Sequence, residues 1–273
     1  MLRHAIGLHF ADDQVWVAFV RRRRKTGPPE LLGWHSTPHT EWAERACRSV
    51  FQFAQRQQCC CARAVPLEAV YFRSAALAGS RDLSAEELAV ACCRELSCQE
   101  KLLVDVAVDG DGKPASVAVA KEAFSAALRR ECGTAEKLVG SLALELPALF
   151  GLLRLSEPGA ASGRVAMIHV EPNRCLAGVF VKGAPRALTE YTGMPTASRM
   201  VCARDWIEAG EQQDCQKAST IFVSGLDSAR CGAAERNSFA EREVEWRPIE
   251  SLHRTAHAAL SYDARLATAV GLA

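Results

Sequence analysis

The chain has 273 residues, 49% apolar and 24% charged, with 33 basic against 32 acidic side chains. This is ordinary globular composition, far from that of a disordered chain, and the near-zero net charge argues against bulk nucleic-acid binding. No apolar stretch reaches the roughly 18 residues that a membrane-crossing helix needs, and the length suits two lobes or one large α/β domain.

The stretch "IGLHFADDQVWVAFV" (residues 6–20) runs apolar, polar, apolar. It predicts two strands joined by the tight turn Ala11-Asp12-Asp13-Gln14. The basic run Arg21-Arg22-Arg23-Arg24-Lys25 follows at once. It reads either as a solvated hairpin end or as a contact for anionic lipid headgroups. After the break Lys25 to Pro29, Glu30 to His39 predicts a third strand. Residues 40–56 predict a helix, because Trp42, Ala46, Val50 and Phe53 recur at helical steps.

Twelve cysteines are present, including Cys59-Cys60-Cys61 in a row. Adjacent cysteines rarely bridge, since a disulfide needs facing Cβ atoms. Met1 to His4 leads straight into a strand without an apolar leader. A reducing cytosol is expected, with the cysteines as small apolar core residues. No C-x-x-C pair occurs, so no metal site is expected. The triplet has no base placed near it by the sequence, so burial or a loop is expected rather than a nucleophile.

Val70-Tyr71-Phe72 form the β-rich centre of residues 67–77. Ser84 with Glu87 predicts a capping box opening a helix. Residues 103–120 predict a hairpin around Asp109-Gly110-Asp111-Gly112, followed by a helix over 121–132. These pieces make a strand–helix–hairpin–helix module, residues 67–132. Residues 135–139 look like a strand and 141–155 like an apolar helix with Pro147 near its start. Ser156 to Gly163 is the clearest linker.

The opening pattern then returns. "HAIGLHFADDQVWVAFV" and "VAMIHVEPNRCLAGVFV" each place a histidine (His9, His169) near the end of an apolar strand, then a four-residue polar turn, then a second strand. Such an internal repeat predicts two like lobes. Residues 184–191 predict a further strand, 197–209 a helix, Ser219 to Gly225 a strand and 262–273 a helical tail.

The duplicated hairpin, the module inserted in the first half and the late strand ending in Gly225 resemble the actin-like ATPase fold. Within it the chain is similar to the PilM/HofM-type pilus-assembly proteins and to the cytoplasmic domain of the type II secretion L protein. Three stretches carry this resemblance: "IGLHFADDQVWVAFVRR", the module with its connecting helix "LVGSLALELPALFGLL", and the ending "YDARLATAVGLA". It implies an α/β, actin-like (ribonuclease H-like) two-lobe fold. The first lobe would span residues 1–155 with an inserted α+β subdomain at about 67–132. A linker, 156–163, would lead to a reduced second lobe, 164–273.

A phosphate turn of that family needs glycine, so that backbone N–H groups can approach phosphate, and an aspartate that organises the metal. Here the aspartate positions hold His9 and His169. The glycine positions hold Ala11 and Glu171, followed by Asp12-Asp13 and by Pro172, which has no N–H. In the third element Gly225 survives, but Leu226 stands where a second glycine is expected. These eight residues (His9, Ala11, Asp12, Asp13, His169, Glu171, Pro172, Gly225) read as vestigial nucleotide turns, with no catalytic set and no cofactor. Both histidines read as satisfied buried groups rather than as a ligand pair.

The resemblance implies a cytoplasmic scaffold, peripheral to the inner membrane, of a type IV pilus, DNA-uptake or secretion assembly. Its partner would be the N-terminal segment of a PilN-like membrane protein. That segment would lie between Val70, Tyr71 and Phe72 on one side and Leu102, Leu103 and Val104 on the other. The competing expectation is an ATPase or phosphotransferase holding Mg-ATP through Asp12, Asp13 or Glu171. A globular α/β protein with unread surface contacts is the third.

Overall fold

The computed structural model describes residues 3–11, 13–22, 30–42, 46–74, 84–95, 104–121, 123, 124, 126, 128, 139–156, 158–214, 216–225, 244–246 and 254–255. They fall into two compact units, one of residues 1–65, 128–157 and 247–273, the other of 66–127 and 158–246.

The first unit is built on a six-stranded sheet. β1 (Arg3–Ala11), β2 (Gln14–Arg22) and β3 (Glu30–Pro38) form an antiparallel meander. β4 (Cys60–Val65) runs parallel to β1, and β8 (Val139–Leu144) parallel to β4. β14 (Arg254–Thr255) lies parallel to β3 on the far edge. Ile6, Leu8 and His9 are all buried, so β1 is covered on both faces, as a central strand must be. Helix α1 (Cys47–Gln57) buries Cys47, Phe51 and Ala54 along one stripe and stops at Gln58, in the left-handed region. Helix α3 (Glu145–Ser156) buries Leu146, Leu149, Phe150, Leu152 and Leu153.

The second unit repeats that plan. β9 (Arg164–Val170), β10 (Arg174–Val181) and β11 (Ala184–Thr192) form the meander. β12 (Thr220–Gly225) runs parallel to β9, and β13 (Val244–Trp246) parallel to β12. The sheet orders β3-β2-β1-β4-β8 and β11-β10-β9-β12-β13 are the same path walked twice. Helix α4 (Thr196–Asp214) closes one face through Met200, Ala203 and Ile207.

A small antiparallel sheet completes the second unit: β5 (Val70–Ser74), β7 (Pro114–Ala120), β6 (Val104–Val108). Helix α2 (Ala85–Glu95) covers it through Leu88 and Cys92 against Val117, Val119 and Val106. The expected capping box is present. The Ser84 amide donates to Glu87 Oε2 at 2.8 Å, and the Glu87 amide to Ser84 Oγ at 3.2 Å.

Cys60 to Val65 is a strand between β1 and β8, with Cys61 buried. Two expectations need correction. Residues 141–144 extend β8; the helix begins at Glu145, with Pro147 in its first turn, where a missing N–H costs nothing. Helix α4 runs five residues past Ala209. Residues 66–127, which hold the module, form one unit with 158–246. Within that unit β11 packs on β5, β6 and β7. Most of the 121–132 helix and the whole 262–273 tail lie outside the described residues.

Candidate functional site

The first turn is short. Ala11 pairs with Gln14, leaving Asp12 and Asp13 between the strands; Asp12 lies outside the described residues. Asp13 is exposed, and its carbonyl accepts from the His39 amide at 2.9 Å. Two residues back, His9 is fully buried, with Nδ1 3.3 Å from Oε1 of Glu145, which is also buried. Glu145 opens α3, where the helix dipole favours a carboxylate. On β4, the buried Arg63 lays its guanidinium over the Phe10 ring, 3.9 Å from the centroid.

The second turn is closed by its own groups. The Glu171 amide donates to the Arg174 carbonyl at 2.8 Å. Pro172 has no N–H to offer, and its carbonyl accepts from Arg199 Nη2 at 2.7 Å. That same Nη2 donates to Thr196 Oγ1 at 2.9 Å, binding the turn to the start of α4. His169 is buried with Nδ1 3.0 Å from Ser224 Oγ on β12 and Nε2 3.6 Å from Glu171 Oε1. The other Glu171 oxygen accepts from Arg174 Nε at 2.7 Å. Next to the turn, burial pushes the Cys175 thiol up to about 12, against the opposing pull of the Arg199 charge.

The third element keeps its glycine for a steric reason. Gly225 has φ +117, and a Cβ there would stand 2.0 Å from the Val170 carbonyl oxygen. Leu226 lies outside the described residues.

Of the six residues expected to line a partner groove, the four described ones fall on two faces of the small sheet. Tyr71 and Val104 both stand opposite Val119, one from each side, so they occupy the α2 face of the small sheet. Both are open to solvent, at 46% and 36%. Val70 and Phe72 are on the other face, Val70 buried and Phe72 half-buried, because side chains alternate along a strand. Leu102 and Leu103 lie outside the described residues.

Of the basic run, Arg21 is held inside the sheet: it stands opposite Glu30 and donates to Glu30 Oε2 at 2.8 and 3.0 Å. The Arg22 side chain and Arg23, Arg24 and Lys25 lie outside the described residues. Cys60 is exposed, Cys59 half-buried and Cys61 buried. Burial raises the Cys59 thiol above its ordinary value. Among the described residues no cluster of histidine, cysteine or carboxylate side chains could hold a metal, and no helix is long and apolar enough to cross a membrane.

No protein-family model matches the chain, and no curated protein matches its sequence. Solved structures do. The PilM–PilN type IV pilus biogenesis complex matches at 13% identity over 98% of this chain and 97% of that one, with a TM-score of 0.64. A Bacteroides thetaiotaomicron protein with an actin-like ATPase fold matches at 9% identity over 89% and 90%, with a TM-score of 0.51. The fold is actin-like. The cytoplasmic domain of EpsL, an inner-membrane component of the Vibrio cholerae type II secretion system, matches at 11% identity over 100% and 95%, with a TM-score of 0.50. The expected likeness to PilM and to the secretion L protein is thus found in three dimensions.

In this actin-like frame, His9 and His169 occupy equivalent places at the ends of β1 and β9, and each faces a buried glutamate. The partners Glu145, Ser224 and Arg199 were not singled out from the sequence. Glu145 did leave a signal: it is the one charge in "LVGSLALELPALFGLL", and a lone acid in an apolar run must find a partner when buried. Arg63 in "CCARAV" is the same signal in a strand.

Proposed function

We propose that this chain is a non-catalytic scaffold of an inner-membrane assembly of the type IV pilus, DNA-uptake or type II secretion kind. It works on the cytoplasmic side, peripheral to the membrane, and binds the short N-terminal segment of a PilN-like membrane partner. Likeness to the PilM–PilN complex and to EpsL supports the assembly reading; fold analogy alone would leave activity open.

The observation that carries the non-catalytic part is the closure of the second turn. The Glu171 amide is engaged by Arg174, and the Pro172 carbonyl, rather than an N–H, faces the helix and takes the Arg199 guanidinium. Glu171 is held by Arg174, not free for Mg²⁺. At the first turn His9 packs against Glu145, where a metal-organising aspartate would stand. These residues do not fit a Mg-nucleotide. The fold then serves as a platform, and the small sheet exposes Tyr71 on one edge strand and Val104 on the other, with the buried Val119 between them.

A photo-crosslinking residue at Tyr71, at Val104, or at Gly159 in the linker as a control off the small sheet tests the partner reading in cells. The expected product is an adduct from Tyr71 and Val104, but not from Gly159, to the N-terminal segment of a membrane protein with one span. Adducts from all three sites, or none to such a segment, would contradict it.

A further inference from the structure

Two turns distant in sequence meet within the second unit. The β6–β7 turn is Asp109-Gly110-Asp111-Gly112. Asp109 Oδ1 organises it by accepting from the amides of Asp111 and Lys113, both at 3.0 Å. The β10–β11 turn is Lys182-Gly183, both in the left-handed region. The Gly110 amide donates to the Lys182 carbonyl at 3.0 Å. Lys182 Nζ is ion-paired to Asp111 Oδ2. Asp109, with only 6% of its side chain exposed, turns its second oxygen to Arg186 Nη2 at 3.4 Å, and Arg186 Nη1 donates to the Ala115 carbonyl at 3.4 Å. Acids stand on one turn, bases on the other turn (Lys182) and on the start of β11 (Arg186), with a backbone bond between the turns.

We infer that these turns form an ionic clasp that holds the small sheet to the β11 edge of the second lobe and sets the order of that sheet. Lys182, Asp111 and Arg186 are exposed or half-buried, and only Asp109 is buried, so salt weakens the clasp. The module is a segment of about 60 residues, marginal as a core of its own, and gains from what it is fastened to. The inference does not rest on the partner reading.

Hydrogen exchange on the full chain tests it, read at the Gly110 amide and over residues 104–120. Lys182→Gln with Arg186→Gln removes the basic half and leaves the internal bonds of the β6–β7 turn intact. Exchange at Gly110 and across 104–120 is expected to rise about tenfold or more, with the strands of the first unit unchanged. Exchanging the charges, Lys182→Glu with Asp111→Lys, is expected to restore much of the protection. On the unaltered chain, raising sodium chloride from about 0.05 to 1 M is expected to speed Gly110 exchange in the same way. This second measurement stands should a variant fail to fold. Unchanged Gly110 exchange in the double variant, or in high salt, would overturn the clasp.

Discussion

Gly225 lies directly against the backbone of Val170. The two residues are paired across parallel β12 and β9, and a methyl group on Gly225 would enter the Val170 carbonyl at 2.0 Å. Gly225 also sits at φ +117, outside the range that other residues adopt with ease. Gly225→Ala is therefore expected to lose at least about 3 kcal/mol of stability. Urea unfolding checks this, with the midpoint falling and the slope unchanged.

His9 and Glu145 are buried against each other in the first unit, with Nδ1 3.3 Å from Oε1. Glu145→Ala removes the buried carboxylate that faces the imidazole and is expected to cost about 1–3 kcal/mol. The double change His9→Leu with Glu145→Leu is expected to recover most of that loss, since an apolar pair of similar volume needs no partner. His9→Asp, which restores the residue of the actin-like ATPases, sets two carboxylates together in a dry site. It is expected to destabilise the fold near neutral pH and to regain stability as acid protonates one of them. Thermal unfolding across pH reads both.

The thiols rank by burial. Cys60 is exposed, Cys61 and Cys175 are buried, and the Cys175 thiol is pushed up to about 12 by desolvation. Among the described thiols, Cys60 is expected to be modified first by an alkylating reagent at pH 8. Cys175 reacts more than about a thousandfold slower until the chain unfolds, because the thiolate is the reacting form. Peptide mapping by mass spectrometry over time gives the order.

The Ser84–Glu87 box makes α2 sensitive to acid. The Ser84 backbone amide, and then its hydroxyl, hold the Glu87 carboxyl below its ordinary value. A depressed folded value means the stabilisation is whole above the ordinary glutamate range and is lost as pH falls through the folded value. Exchange of the first α2 amides is expected to rise, relative to the rest of the chain, below about pH 4.3. Ser84→Ala is expected to cost about 1 kcal/mol and to remove this acid step.

The hairpins were legible because alternation and a polar turn leave few other readings, and the repeat of His9 and His169 foretold the matching sheet orders. β4 was not. "CCARAV" has Val65 as its single β-branched residue and no aromatic, and its place is set by neighbours on both sides. Residues 139–144 could be helix or strand from their apolar run alone; β4 decides it by pairing. The polar partners of the two histidines come from β12, α3 and the β9–β10 turn, and no local pattern announces that they meet. Tyr71 and Phe72 looked like one wall because they are adjacent, yet adjacency in a strand puts them on opposite faces.

Calorimetric titration of the full chain with ATP and with ADP, with and without Mg²⁺ in reducing buffer, tests the platform reading most directly. With His9 set against Glu145 and the Pro172 turn closed by Arg199, no binding heat is expected at millimolar nucleotide. Saturable binding tighter than about 100 μM, roughly 5.5 kcal/mol, that strengthens with Mg²⁺ would mean that the turns open to hold phosphate, and would contradict the reading of this actin-like fold as a scaffold without a nucleotide.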